Sequence, residues 1–401
     1  MLTRSLTEKL QVALKISPVV LLSGSRQVGK STLSLSLFDN YLTFDDGALK
    51  LQAKENPKGF LRTLDKPVCL DEIQKAPLLL EYIKINVDQK RKNGDFLLTG
   101  SANILDNKEV KDTLAGRIIE LVLYPLSVKE KNNQAKDNIV DKLFNHDFKV
   151  TSSDYFEQLI EHILSGGYPE MLKLKAGLEK SLWFSSYIST YIERDARDLG
   201  EIRDIDSFIK FVNVISSRSA GILNKSSLSA QIRITNKTTE NYLSILQRIY
   251  QGFLVKPYFE NIGKQFIKSP KFYLGDTGLL THFIKIENKK DLLSSRYCGA
   301  VFETFVFTEL QKHLSYSNQE YSLYHYRTND AKEIDFILKC QSKIMAIEVK
   351  SSATIQKADF KHIIDFQSKS KQEVIGVIFY TGDRTIELSD KLVAIPMSYF
   401  M

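Results

Sequence analysis

Eight residues near the start of the chain restrict its fold more than any other stretch. Gly24-Ser25-Arg26-Gln27-Val28-Gly29-Lys30-Ser31 fits the pattern G-x-x-x-x-G-K-[ST] in full. The two glycines let the backbone curl until its N–H groups point inward, making a concave cradle for an anion. A helix starting at the end of the curl aims its positive dipole at the same point. Such a loop needs a strand before it and a helix after it. Val19-Val20-Leu21-Leu22 reads as a short buried strand, and Ser31 to Phe38 reads as a helix.

The neighbouring sequence extends this unit. Leu6, Leu10 and Leu14 recur every four residues and predict a first amphipathic helix. Tyr41 to Phe44, Val68-Cys69-Leu70 ending at Asp71, Phe96-Leu97-Leu98 ending at Thr99, and Ile118 to Leu123 read as further strands, with a helix over Leu78 to Lys90. Strands alternating with helices predict an α/β fold with a parallel sheet covered on both faces. Ligands in such sheets sit beyond the strand ends, where these polar residues cluster.

Beyond Pro125 the composition shifts. Lys129 to Asp141 is rich in Lys and Asn and reads as a loop or linker. From about Asp154 to Ile249 the pattern is mostly helical, and from about Lys271 strands alternate with helices again. A chain of 401 residues exceeds one ordinary domain. The expected division is 1–150, 151–262 and 263–401, with no internal repeat.

Cys69, Cys298 and Cys340 are far apart and lie in apolar stretches, so they are expected as buried free thiols in a reducing compartment. Met1 to Leu10 does not read as a signal peptide, and no stretch approaches 18 apolar residues. A cytoplasmic protein with no membrane partner is expected. The 55 basic and 48 acidic side chains give +7, which permits contact with nucleic acid without arguing for it.

The loop predicts ATP and Mg2+ as cofactors. Lys30 would reach the β- and γ-phosphates, and Ser31 would ligate magnesium. Asp71 and Glu72 end an apolar strand: Asp71 would hold the metal and Glu72 would orient or deprotonate water. Thr99 or Ser101, at the tip of the next strand, could sense the γ-phosphate. Arg117 follows Leu114-Ala115-Gly116 and could stabilise transition-state charge, in cis or from a neighbouring subunit. Arg117 and Arg26 could equally be surface or ion-paired arginines. The bland reading of the loop is a chance match in a glycine-rich turn, which the flanking strand, helix and acidic pair oppose.

Two further patterns lie downstream. Glu303 is the charged residue of Ala300 to Phe307, a predicted helix, and a carboxylate there needs a partner or a metal. Asp335 sits in the strand Glu333 to Leu338, and Glu348 and Lys350 share one face of the strand Ile344 to Lys350. Asp followed by Glu-x-Lys, with a preceding helical Glu, suits a magnesium-dependent nuclease site. Glu303, Asp335 and Glu348 would be ligands and Lys350 would steady the nucleophile. The alternative is an ion-pair cluster around Lys350. Leu223 to Glu260 reads as a helix-turn-helix, with Ser226 or Ser227 capping Leu228 to Ile232 and Thr235 or Asn236 capping Thr238 to Tyr250. Phe253 to Phe259 is the expected wing. The outward face, Lys237, Thr238, Glu240, Asn241, Ser244 and Gln247, is polar but barely basic, so DNA reading and protein packing both stay open.

Taken together these residues resemble the prokaryotic AAA-type ATPases that carry a C-terminal domain of unknown function. The resemblance runs over almost the whole chain. It rests on the loop itself, on Leu70-Asp71-Glu72-Ile73-Gln74, Leu98-Thr99-Gly100-Ser101, Leu114-Ala115-Gly116-Arg117 and Tyr124-Pro125-Leu126-Ser127. Further along it rests on Gly166-Gly167-Tyr168-Pro169-Glu170, Tyr191-Ile192-Glu193-Arg194-Asp195, Ser269-Pro270-Lys271, Asp276-Thr277-Gly278-Leu279, Phe302-Glu303, Glu333-Ile334-Asp335-Phe336 and Ile347-Glu348-Val349-Lys350. It implies a AAA core, a winged-helix segment and a C-terminal PD-(D/E)xK-like domain. Ser25 stands where alanine is common, and Ser31-Thr32 where two threonines are common; the needed hydroxyl is kept. The nucleotide set is therefore expected to be Gly24, Ser25, Arg26, Gln27, Val28, Gly29, Lys30, Ser31, Thr32, Asp71 and Thr99. Two readings of the whole follow. One is an ATP-gated enzyme acting on DNA; the other is an ATP-driven switch, alone or as a homo-oligomer, that binds a protein or nucleic acid without cutting it.

Overall fold

Val19–Ser23 (β1) is buried at every position, so it must be covered on both faces. It lies inside a five-stranded sheet of order β2-β3-β4-β1-β5, in which β2 is Tyr41–Thr43, β3 Val68–Asp71, β4 Phe96–Gly100 and β5 Ile118–Val122. All four pairings are parallel. The register sets Ser23 beside Gly100 and Val122, and Asp71 beside Thr43, so the chain leaves every strand at one edge.

The computed structural model describes residues 2–101, 114–150, 155–175, 177–198, 202, 204–259, 269–328, 330 and 332–401. They form two compact units. The first comprises Met1–Leu126 with the short returns Tyr168–Glu170 and Arg248–Tyr250; the second comprises Ser127–Gly167, Met171–Gln247 and Gln251–Met401. The expected limits at residues 151 and 262, and Asp154, lie outside the described residues.

In the first unit the helices are α1 (Thr7–Ile16), α2 (Lys30–Leu35), α3 (Gly47–Glu55), α4 (Pro57–Arg62) and α5 (Leu79–Gln89). Leu21, Leu70, Phe96 and Leu98 of the sheet pack with Phe60, Leu79 and Ile83 of the helices in one apolar core. The sequence reading passed over α3 and α4, whose signals are caps rather than periodicity. Asp46 accepts from Ala48 N at 2.8 Å, and Asn56 accepts from Gly59 N at 2.9 Å, with Pro57 following. Each such cap is worth about 1 kcal/mol.

The second unit corrects the expected linker. Lys129 to Asp141 is a loop only in its middle, residues 132–138; its two ends belong to the helices Val128–Lys131 (α6) and Ile139–Phe144 (α7). Ser127 and Glu130 form a reciprocal capping box, and Ile139, Val140, Leu143 and Phe144 are buried. Polar lettering concealed an ordered polar network; Glu309 accepts from Val128 N at 3.0 Å. Helices α8 (Phe156–Ser165), α9 (Leu178–Tyr187) and α10 (Ile205–Ser216) follow. The expected helix pair is present as α11 (Lys225–Ile232) and α12 (Asn236–Arg248). Its first cap is Asn224, not Ser226 or Ser227, because the helix starts a turn earlier. Thr235 Oγ1 accepts from Thr238 N at 3.0 Å at the second. Gly221–Ile222 (β6), Gly252–Val255 (β7) and Lys271–Leu274 (β8) make a small antiparallel sheet, ordered β6-β8-β7.

The C-terminal part is a mixed six-stranded sheet, ordered β13-β14-β12-β11-β10-β9. Its strands are β9 (Ser322–Arg327), β10 (Glu333–Cys340), β11 (Lys343–Lys350), β12 (Glu373–Tyr380), β13 (Ile386–Ser389) and β14 (Leu392–Pro396). The long helix α13 (Cys298–Tyr316) precedes it, and α14 (Lys361–Lys369) lies between β11 and β12. Cys69 and Cys340 are buried as expected; Cys298 is half-buried. Among the described residues no helix is long and apolar enough to cross a membrane.

Candidate functional site

The phosphate loop leaves β1 at the strand-end edge. Gly24 has φ +141°, and a Cβ there would lie 2.2 Å from Leu123 O, so only glycine fits. Gly29 has φ +96°, and Gln27 is left-handed in spite of its side chain. Val28 is buried; Thr32 is exposed on α2. The Lys30 ammonium folds over the loop and donates to Gly24 O and Ser25 O, both at 2.9 Å. Arg4, which no motif marks, ties the loop down: its Nη1 donates to Val28 O at 2.6 Å and its Nη2 to Tyr124 O at 2.7 Å.

Asp71, at the end of β3, receives three hydroxyls. Ser31 lies 3.3 and 3.4 Å from its two oxygens, and Thr99 and Tyr41 also donate to it. The sequence places Tyr41 on a strand but gives it no role at the site, because a lone tyrosine on a short strand carries no signal. Burial and then the bond to Asp71 push its phenol above the ordinary range. Glu72 follows in the left-handed region, φ +57°, which turns its side chain out of the strand pattern. Its carboxylate accepts from Gln74 Nε2 and lies 3.8 Å from Arg26 Nη1. Gln74 Nε2 also lies 3.1 Å from Ser101 Oγ, and Glu72 N donates to Thr99 Oγ1 at 3.3 Å. Loop, acidic pair and strand-tip hydroxyls thus meet at one edge. The donor set fits a magnesium nucleotide: a hydroxyl and a carboxylate face each other beside a cradle no larger residue could form.

Arg117 is not at this edge. It precedes β5, whose first residue Ile118 pairs with Val19, the first residue of β1. Its Nε lies 2.5 Å from Asp88 Oδ1 of α5, Nη1 donates to Ala115 O at 2.8 Å, and its own carbonyl accepts from Ser17 Oγ. The place expected for it, close to the ligand edge just after the fourth strand, is therefore corrected, and of the two roles left open the one toward a neighbouring subunit is the one this position leaves. A parallel strand must begin at the opposite end of the sheet, so a residue just before β5 is remote from the loop after β1.

The downstream carboxylates do come together. Phe336 pairs with Ile347 across β10 and β11, which sets Asp335 opposite Glu348 on one face. Asp335 Oδ2 accepts from Val349 N at 2.9 Å. A cation of the chain itself, Lys271 of β8, stands among them. Its ammonium lies 2.9 Å from Glu303 Oε1, 2.7 Å from Glu333 Oε1 and 3.2 Å from Asp335 Oδ1, with the side chain only 2% exposed. Burial alone would lower the lysine's pKa; the surrounding carboxylates outweigh it and hold the ammonium charged. Tyr273 donates to Glu303 Oε1 at 2.6 Å. Lys350 is partly exposed and lies 3.4 Å from Glu348 Oε2, while Glu348 Oε1 is buried with no hydrogen-bond partner among the described residues. Burial and the Asp335 charge push the Glu348 carboxyl up to about 8. Among the described residues no three carboxylate, histidine or cysteine side chains are already drawn together around a space for a metal ion. Lys271 thus occupies the place between Glu303 and Asp335 where the sequence reading expected a metal, while Glu348 pairs with Lys350.

This fold and loop are those of a P-loop nucleotide-binding domain, and the N-terminal part is similar to AAA-type ATPases. Residues 17–132 match the family model described as "AAA domain". Residues 156–290 match "Domain of unknown function (DUF8612)" and residues 298–400 match "Domain of unknown function (DUF4143)"; neither description names a nuclease. Over 398 residues the chain is 27% identical to an uncharacterized protein of Mycobacterium tuberculosis, covering 98% of this chain and 83% of that one. An uncharacterized protein of Haemophilus influenzae is 24% identical over 360 residues, 82% of each chain. Among solved structures, the Walker-type ATPase PABY2304 of Pyrococcus abyssi is similar with a TM-score of 0.40 and 16% identity, over 69% of this chain and 94% of that one.

Proposed function

We propose that the chain is a magnesium-dependent ATPase whose hydrolysis cycle switches the second unit between states of a non-cutting interaction with another macromolecule. The observation that carries the first part is the Ser31–Asp71 pair, 3.3 Å apart at the lip of the phosphate loop. Bound magnesium would supply charge neutralisation for the β- and γ-phosphates. In this reading Gly24 to Thr32 hold the phosphates, Ser31 and Asp71 hold the ion, Glu72 orients the attacking water, and Thr99 fixes Asp71. Phosphate release from ATP, with and without EDTA, tests this. No release in excess magnesium by a chain that also fails to bind ATP removes the reading.

The macromolecular partner is favoured as protein over DNA. Among the residues beside α12 is an open groove of about 1200 Å³ whose charged lining is Arg233 and Lys237 against Asp204 and Glu240. A balanced lining gives none of the phosphate attraction that duplex binding draws on. The first of the two readings, an ATP-gated enzyme acting on DNA, loses its main support where Lys271 fills the carboxylate cluster. Plasmid incubated with the protein, manganese and ATP should stay uncut.

A further inference from the structure

The cluster around Lys271 has the ligands of a cation site and already contains a cation. An ammonium has three N–H donors. Glu303, Glu333 and Asp335 supply three carboxylate oxygens at 2.7 to 3.2 Å, so all three donors have acceptors. Asp335 is used twice, once by Lys271 and once by the Val349 amide. Glu348, 6% exposed, sits opposite Asp335 with one oxygen lacking any partner. Without Lys271, the four acids Glu303, Glu333, Asp335 and Glu348 on α13, β10 and β11 would face one another, with Arg327 beside Glu333 and Lys350 beside Glu348 at the rim. Repulsion of that kind is relieved by protonation or by a cation.

We propose that Lys271 is a built-in counter-ion that replaces a divalent ion, so that the full chain has no metal site here and removing the lysine uncovers one. The lysine comes from β8, within the segment 156–290, and its partners come from the segment 298–400. The same contact therefore fastens the small antiparallel sheet to the mixed sheet. A divalent ion in this cluster would stand beside the ammonium and compete with it for Asp335 and Glu303, which water-excluded surroundings penalise. Oxygen-only ligands of this type would take magnesium, manganese or calcium once the ammonium is gone. The inference is independent of ATP hydrolysis, and its test uses no nucleotide.

The test is Mn2+ binding to the full chain, followed by electron paramagnetic resonance. Wild type should show no Mn2+ that Asp335→Asn removes. Lys271→Met should gain one Mn2+ per chain, bound at least tenfold tighter than any wild-type site, and the double variant Lys271→Met/Asp335→Asn should lose it. A wild-type Mn2+ that disappears in Asp335→Asn overturns the proposal. So does a folded Lys271→Met chain with no added Mn2+. Should Lys271→Met fail to fold, the comparison of wild type with Asp335→Asn decides alone: no difference in bound Mn2+ supports the built-in counter-ion, and a lost ion refutes it.

Discussion

The Tyr41 hydroxyl reaches from the edge strand β2 to the same Asp71 carboxylate that faces Ser31. It donates to Oδ2 while Thr99 donates to Oδ1, and Ser31 faces both oxygens. Tyr41→Phe removes that restraint with little change in volume. A hydrogen bond to a charged acceptor is worth about 1.5 kcal/mol or more, so the magnesium needed for half-maximal ATP binding should rise about tenfold. Binding of nucleotide in EDTA should not change. Titration of a fluorescent ATP analogue against magnesium measures both.

Lys30 and Glu72 separate binding from chemistry. Lys30→Ala deletes the buried ammonium of the loop and should abolish detectable ATP binding. Glu72→Gln keeps the shape and the Gln74 contact region, so ATP should still bind while phosphate release falls about 100-fold or more. Normal turnover by Glu72→Gln would mean that another group orients the water.

Arg117 should prove silent within its own chain. It is bonded to Asp88 at the far edge of the sheet. Arg117→Ala should leave both the ATPase rate and the affinity for ATP at wild-type values in dilute solution. A rate defect that grows with protein concentration would instead assign the arginine to a neighbouring chain's site.

Glu348 gives stability a pH slope. Its carboxyl titrates near 8 in the folded chain against an ordinary value of 4.5, because burial and Asp335 oppose its charge while Lys350 and Lys271 only partly offset them. The folded chain therefore keeps a proton that the unfolded chain has released. This contribution is fully present below 4.5 and is lost as pH rises toward 8. Glu348→Gln should flatten thermal stability across that window and exceed wild type above it by roughly 1.4 kcal/mol or more, one pKa unit being worth that amount. Melting curves at pH 5, 7 and 9 check the sign.

The parallel sheet and its phosphate edge were legible because glycine spacing and apolar runs report backbone geometry directly. Asp71, Glu72 and Thr99 were legible for the same reason, as strand ends. Arg117 was misread because distance along the chain says nothing about which edge of a parallel sheet a residue occupies. The stretch from Lys129 to Asp141 was misread because its helices rest on a capping box and on Glu309, far away in sequence. Lys271 and Tyr41 were invisible for a related reason. Each acts through partners on other elements, 64 residues away in the case of Lys271 and Asp335.

The borrowed lysine also decides how this protein can be dissected. A fragment starting after Leu274 would carry Glu303, Glu333, Asp335 and Glu348 without the charge that neutralises them. Such a piece would be a different chemical object from the same residues in the intact chain. It would either refuse to fold near neutral pH or recruit ions from the buffer, and any cutting it displayed would be an artefact of the excision. Boundaries for expression should therefore keep β8 with the C-terminal sheet.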